Sequence, residues 1–227
     1  MPRLRQLLAA LAAAATPWAA SAQPSISLSA NVGAVSDYRF RGLSLSNRNP
    51  ALQGGIDLEA TSGLFAGAWA STIADYAGAE IEVDFYGGYG GSSGRLTYWL
   101  GIYAYVYPGG GDVNYLELIG HAEHPVGPVV IGVDAAYTPQ QGNADNSNFY
   151  IAASVLFEIP QTGVSVQTRA GLEEGFYQSK LDWEIGLTYE LAPVGGTISY
   201  VDSNYSGVDE AGHLSSGSIV LSVVLSL

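Results

Sequence analysis

Cysteine is absent, and after residue 22 so is any long uninterrupted apolar run. An exported chain without cysteine cannot lean on disulfides. A helical membrane protein is excluded as well, because each span takes roughly 17–25 apolar residues. Positive charge is also scarce, with 8 Lys and Arg against 21 Asp and Glu and a net charge of -13. Such acidity argues against nucleic acid as a partner. Few lysines beside 15 tyrosines argue equally against a disordered acidic tail. The three histidines, His121, His124 and His213, lack metal-ligand spacing. Asn143-x-Asp145-x-Ser147 lacks the glycine and terminal glutamate of a calcium loop. Gly87 to Gly94 is glycine-rich but has neither the following helix nor the lysine of a phosphate loop. Nothing localises a Ser-His-Asp site. The expectation is a non-enzymatic protein without metal or cofactor.

What is present is alternation. From Ile26 to Gly42, Ile26, Leu28, Ala30, Val32, Ala34, Tyr38 and Phe40 share one parity, while Ser27, Ser29, Asn31, Asp37, Arg39 and Arg41 take the other. This is the pattern of a two-faced β-strand. A half-buried soluble strand usually ends after five or six residues, whereas a tilted strand crossing a bilayer needs about 9–11. The pattern recurs to the last residue. A closed barrel is the β-structure that leaves no backbone edge unpaired in lipid.

Ahead of the first strand, Met1 to Arg5 form a short basic start, Leu7 to Ala15 a small apolar stretch, and Ala20-Ser21-Ala22 a small-x-small cleavage site. The segment reads as a secretory signal peptide, residues 1–22. Its removal, which takes Arg3 and Arg5 with it, leaves 205 of the 227 residues at a net charge of -15. That length suits one domain, the barrel of residues 23–227.

Breaks at Gly, Pro, Asn, Asp and Ser clusters divide the remainder into twelve strands: 25–42, 51–61, 64–73, 79–90, 95–107, 113–123, 128–138, 148–159, 164–173, 179–191, 196–203 and 216–227. Twelve is even, as bacterial single-chain barrels require. Short turns are expected at Ser62-Gly63, Gly91 to Gly94, His124 to Gly127, Pro160 to Gly163 and Ala192 to Gly195. Longer polar connections fall between them, as at Leu43 to Pro50, Pro139 to Ser147, Glu174 to Gln178 and Asn204 to Ser215. Alternating short and long connections predict an all-β, antiparallel up-and-down barrel in the outer membrane of a Gram-negative bacterium, with the long connections outside.

The charges obey the same parity. Asp37, Asp57, Glu59, Glu80, Glu82, Asp84, Glu117, Glu123, Asp134, Glu158, Asp182, Glu184 and Glu190 lie opposite the apolar residues of their own strands, as do Arg39, Arg41, Arg95, Arg169 and Lys180. Asp202, at the entrance to a long loop, is the exception. A cation on the lipid face at mid-membrane costs about 2–4 kcal/mol, so these residues are expected to line the lumen. The opposite parity places Phe40, Tyr137 and Phe149 near the long-loop side and Tyr89, Phe157 and Tyr189 near the short-turn side. Two interfacial aromatic girdles are predicted.

Ser36-Asp37-Tyr38-Arg39-Phe40-Arg41-Gly42-Leu43-Ser44 resembles the opening signature of the TorF-type porin family, bacterial outer-membrane proteins. Phe65 to Ser71, Glu80 to Gly88, Tyr105 to Pro108, Asn114 to Leu118 and Asp182 to Gly186 resemble later segments of the same family, in register over most of the chain. The resemblance implies an outer-membrane barrel with a pore role and no agreed substrate. The chain departs from many outer-membrane proteins in ending Val223-Val224-Leu225-Ser226-Leu227 rather than on an aromatic residue. The alternating tail is kept, and recognition by the barrel-assembly machinery is still expected.

The candidate site follows from these charges. Asp37-x-Arg39-x-Arg41 projects inward from the first strand, and Asp57 and Glu59 project from its hairpin neighbour, so pairing between adjacent strands is expected. Glu80, Glu82 and Asp84 follow in succession on another inward face, and Arg169, Lys180, Asp182 and Glu184 line the later strands. A charge ladder that stabilises the barrel and a constriction that orders a passing solute both fit this pattern. Thirteen inward carboxylates against five inward cations favour cations in a low-dielectric bore. Trp99, Tyr103, Tyr105 and Tyr107 are expected inside, as space-filling residues or as a track for flat solute faces, whereas Phe65 and Trp69 are not assigned to a face. The expected function is passive diffusion of small polar or cationic solutes. A surface-structural or adhesive barrel with a plugged lumen is the alternative, and an outer-membrane lipid-modifying enzyme a third.

Overall fold

The computed structural model describes residues 25–142, 144–176, 179–206 and 213–227. Residues 1–24, which include the segment read from sequence as a signal peptide, Asn143, and parts of the connections at 174–178 and 204–215 lie outside the described residues. Fourteen strands follow in order: β1 (Ile26–Val35), β2 (Arg39–Phe40), β3 (Leu43–Ser44), β4 (Ala51–Ala60), β5 (Leu64–Tyr76), β6 (Ala79–Ser93), β7 (Leu96–Val106), β8 (Tyr115–Val126), β9 (Val129–Thr138), β10 (Asn148–Ile159), β11 (Val164–Glu174), β12 (Lys180–Leu191), β13 (Val194–Ser203) and β14 (Ser218–Ser226). All but β2 and β3 close into one antiparallel barrel of twelve strands. Closure is made by β1, which pairs with β4 from Ile26↔Ala60 to Val35↔Ala51 and with β14 from Asn31↔Ser226 to Val35↔Ser222.

Burial alternates as the sequence pattern predicts. On β10, Tyr150, Ala152, Ser154 and Leu156 are buried while Phe149, Ile151 and Val155 face out. Leu100, Ile102, Ile185 and Leu187 are likewise exposed on the outer wall. That wall is apolar without being a core, which is stable where hydrocarbon rather than water touches it. Tyr137 and Phe149 stand outward near the long-connection end, and Tyr89 and Tyr189 near the short-turn end.

The core lies in the bore. Phe65, Trp69, Tyr86, Trp99, Tyr103, Tyr105 and Tyr107, from β5, β6, β7 and the residue after it, are all buried and pack in one cluster. The sequence leaves Phe65 and Trp69 unassigned because small residues flank them on both parities; the structure turns both inward. Room for the rings comes from glycine. A Cβ on Gly67 would collide with the Tyr86 ring, and one on Gly171 with the Tyr150 ring.

Several expected boundaries move. The Gly87 to Gly91 run is part of β6, and the turn shifts to Gly94-Arg95, so Arg95 is an exposed turn residue rather than a lumen cation. The connection between β5 and β6 shrinks to Ala77-Gly78, both at positive φ, a two-residue turn on the side where the other connections are longer.

The largest difference is at the first strand. The predicted strand 25–42 ends as a barrel strand at Val35, and residues 36–50 become a loop, L1, that folds into the bore. Within L1, β2 and β3 form a tiny hairpin, Arg39 opposite Ser44 and Phe40 opposite Leu43. Arg41 (φ 48°) and Gly42 (φ 84°) make its two-residue turn, the type that matches strand twist and requires positive φ at both positions. Gly42 is also required by contact, since an added Cβ would stand 2.8 Å from the Ser203 Cβ and 2.9 Å from the Asp182 Cβ. Phe40 is therefore no girdle residue. Its ring packs edge-on against Tyr105 inside the barrel, centroids 5.9 Å apart.

Candidate functional site: a bore closed by its first loop

Local hydrogen bonds shape L1. Asp37 accepts from Ser44 Oγ at 2.5 Å and from Arg39 Nε at 2.7 Å, and the Arg39 Nη1 donates to the Gly42 carbonyl at 3.1 Å. Leu45 N donates to the Tyr38 carbonyl and Tyr38 N to Ser46 Oγ. Asp37 and Arg39 thus spend their charges on each other, both almost fully buried. The sequence expectation that Asp37, Arg39 and Arg41 project from the first barrel strand and pair with Asp57 and Glu59 does not hold. They belong to the inserted hairpin, and Asp57 instead accepts a 2.5 Å hydrogen bond from Tyr86.

The hairpin then meets the barrel wall at many points. Ala74 N on β5 donates to the Leu45 carbonyl, beside the irregularity between Thr72 and Tyr76. Tyr38 donates to Glu82 Oε1 on β6 at 2.7 Å and stands edge-on to Trp69 on β5. Phe40 reaches Tyr105 on β7. At the tip, Arg41 donates to both oxygens of Glu117 on β8, at 2.7 and 3.0 Å, and to Glu173 on β11 at 3.1 Å. Its guanidinium lies over the Tyr150 ring on β10, 4.4 Å from the centroid. At the mouth, Arg48 donates to Ser216 Oγ and to the His213 and Gly217 carbonyls. L1 crosses the whole bore.

The carboxylates that receive Arg41 are positioned by wall residues. Glu117 also accepts from Thr138 Oγ1 at 2.8 Å and Tyr105 OH at 3.1 Å, while Glu173 accepts from Asn148 at 2.7 Å and pairs with Lys180 at 2.5 Å. Glu82, Glu117, Lys180 and Asp182 are no more than 1% exposed. Buried charges persist only when paired and hydrogen-bonded, as those of Glu117, Glu173 and Lys180 are; Glu82 is met instead by the Tyr38 hydroxyl.

Toward the short turns the lumen loosens. Glu59, Glu123, Glu158, Glu184 and Glu190 are half-buried, as are Asp134 and Arg169. Arg169 donates to the Tyr150 hydroxyl and lies 3.4 Å from Asp182 and 3.9 Å from Glu184. His121 contacts Asp134 at 2.7 Å and stacks on Trp99. The result is an acidic inner face, here called the vestibule, with aromatic residues on β5–β8 and polar ones on β9–β13, and with L1 across the other end.

Of the predicted site residues, Arg169, Asp182 and Glu184 are brought together, Arg41 and Lys180 meet through Glu173, and Glu82 and Asp84 lie buried beneath L1. Glu80 does not join them; it is exposed next to the Tyr76–Ala79 turn. Sequence reasoning missed Glu173 and Tyr150 as partners of Arg41. Both signals were present, because Glu173 has the parity of Arg169, and Tyr150 that of the buried Ala152 and Ser154.

Residues 19–218 match the family described as "Bacterial protein of unknown function (Gcw_chp)". The chain belongs to that family. No curated protein matches the sequence. Among solved structures, the KdgM porin is similar over 88% of this chain and 99% of its own, with a TM-score of 0.61 at 6% identity. The NanC porin is similar over the same shares, with a TM-score of 0.59 at 14% identity. At such identities the likeness establishes the porin-type barrel fold.

Proposed function

We propose that this protein is an outer-membrane channel of the porin kind, exported through its leader and inserted by the barrel-assembly machinery, that passes small polar and preferentially cationic solutes. It carries no catalytic role in this reading. The observation that supports it most directly is the set of partly exposed inward carboxylates, Glu59, Glu123, Glu158, Glu184 and Glu190, which a barrel built only for rigidity has no need to keep. Low-dielectric walls focus the field of such carboxylates and raise the local cation concentration. The opening signature's resemblance to TorF-type porins is in keeping with the same role, and the KdgM porin, similar in fold, has been solved in complex with oligogalacturonate. L1 is then the constriction, with Asp37, Arg39 and Arg41 carried on an inserted loop rather than on the wall. A second reading, a closed structural barrel, is favoured by the buried Arg41–Glu117–Glu173 network. Planar-bilayer recording separates them. Discrete conductance steps are expected for the wild-type barrel, rising when residues 37–46 are replaced by a Gly-Ser linker. Silence from both correctly folded proteins would sink the channel.

A further inference from the structure

The socket around Arg41 and the arginine that fills it belong to different parts of the fold. The socket's wall residues lie on β7–β11 and are held in place without help from L1: Tyr105 and Thr138 hold Glu117, Asn148 and Lys180 hold Glu173, and Asp182 and Arg169 hold the Tyr150 hydroxyl. Arg41 enters from the tip of a hairpin. Withdrawing that hairpin leaves two carboxylates facing one lysine, so one negative charge is left without a cation. We propose that this socket is a binding site for small solutes bearing a guanidinium group, which take the place of Arg41 and so release L1 from the bore. The class is set by geometry. Both Glu117 oxygens receive the two terminal nitrogens of one planar fork, a bidentate match that an ammonium cannot make. Glu173 takes a second bond from one of those nitrogens, and the Tyr150 face lies beneath the guanidinium carbon.

The consequence for transport rests on the channel reading, whereas the binding itself does not. The test uses the full chain, folded in detergent, with Arg41→Ala to vacate the socket. Methylguanidinium chloride is titrated against methylammonium chloride at matched ionic strength, reading the thermal unfolding midpoint and the tryptophan fluorescence. A saturable rise in midpoint is expected for methylguanidinium, with distinctly weaker action from methylammonium, which cannot bridge both Glu117 oxygens in the same way. It should vanish when Glu117→Gln is added. No response, or an equal response to both cations, overturns the proposal. If Arg41→Ala does not fold alone, refolding is repeated with methylguanidinium present: recovery supports the site, and failure there shows that the socket is not formed by the wall. Bilayer conductance of Arg41→Ala is recorded separately. Binding without conductance removes the channel and keeps the site; conductance without binding does the reverse.

Discussion

Arg41 and Glu117 form a two-pronged ion pair deep in the barrel, Nη2 to Oε2 at 2.7 Å and Nη1 to Oε1 at 3.0 Å, although 76 residues separate them in sequence. The pair joins the tip of a loop to a wall strand that has no other sequence link to it. Both side chains are at most 8% exposed. Removing one member strands the other, and breaking such a buried pair costs on the order of 3–5 kcal/mol.

Single and double variants of this pair are therefore expected to be non-additive. Arg41→Met and Glu117→Met should each lower unfolding stability in detergent by about 3 kcal/mol or more, while the double variant should lose less than the two together. Urea titrations of the four proteins give the coupling energy. A coupling near zero would mean that the loop is held by its other contacts alone.

Gly42 tests the hairpin itself. Its φ of 84° costs an L-residue roughly 1–2 kcal/mol, and any side chain meets the Ser203 and Asp182 Cβ atoms. Gly42→Val is expected to expel the hairpin while the barrel remains closed. Trypsin digestion of folded protein followed by mass spectrometry should then show cleavage after Arg41, which is 8% exposed in the wild type. Equal protection of both proteins would contradict the tight approach.

The outer wall gives a third prediction. Ile185 is 53% exposed on β12 while Glu184, its neighbour, turns into the vestibule. Ile185→Arg is expected to reduce folding into lipid vesicles by about 2–4 kcal/mol. Glu184→Gln should have little effect there. Comparable losses would reverse the assignment of faces.

The barrel was legible because an apolar outer face and a charged inner one impose a period of two on every barrel strand, and because Gly and Pro mark most turns. β10 and β12 show this plainly, with Ile151, Val155, Ile185 and Leu187 out and Tyr150, Ser154 and Asp182 in. L1 was not legible for the same reason. A hairpin of β-residues alternates like the strand it follows, so Asp37, Arg39 and Arg41 continued the parity of Ile26–Val35 without a visible break. The clues were a predicted strand longer than a bilayer needs and an Arg-Gly pair suited to a two-residue turn. Pairings across the bore, such as Arg41 with Glu173, depend on how the barrel closes and leave no local periodic trace.

Ion selectivity is the last expectation, and it depends on which charges a passing ion meets. Replacing residues 37–46 removes Arg39 and Arg41 and uncovers Glu82, Glu117 and Glu173, so carboxylates outnumber cations along the opened path and should set the sign. In a barrel whose residues 37–46 are replaced by a Gly-Ser linker, a salt gradient across the bilayer is expected to give a cation-selective reversal potential. Raising the salt to about 1 M, where the Debye length is roughly 3 Å, should weaken it. Replacing Glu123, Glu158 and Glu190 together with glutamine should move the potential toward zero. Replacing Arg169 with glutamine should move it the other way, because Asp182 and Glu184 then lose their shared cation. Anion selectivity in the open barrel would mean that Arg169 and Lys180, rather than the more numerous carboxylates, control the narrowest part of the path.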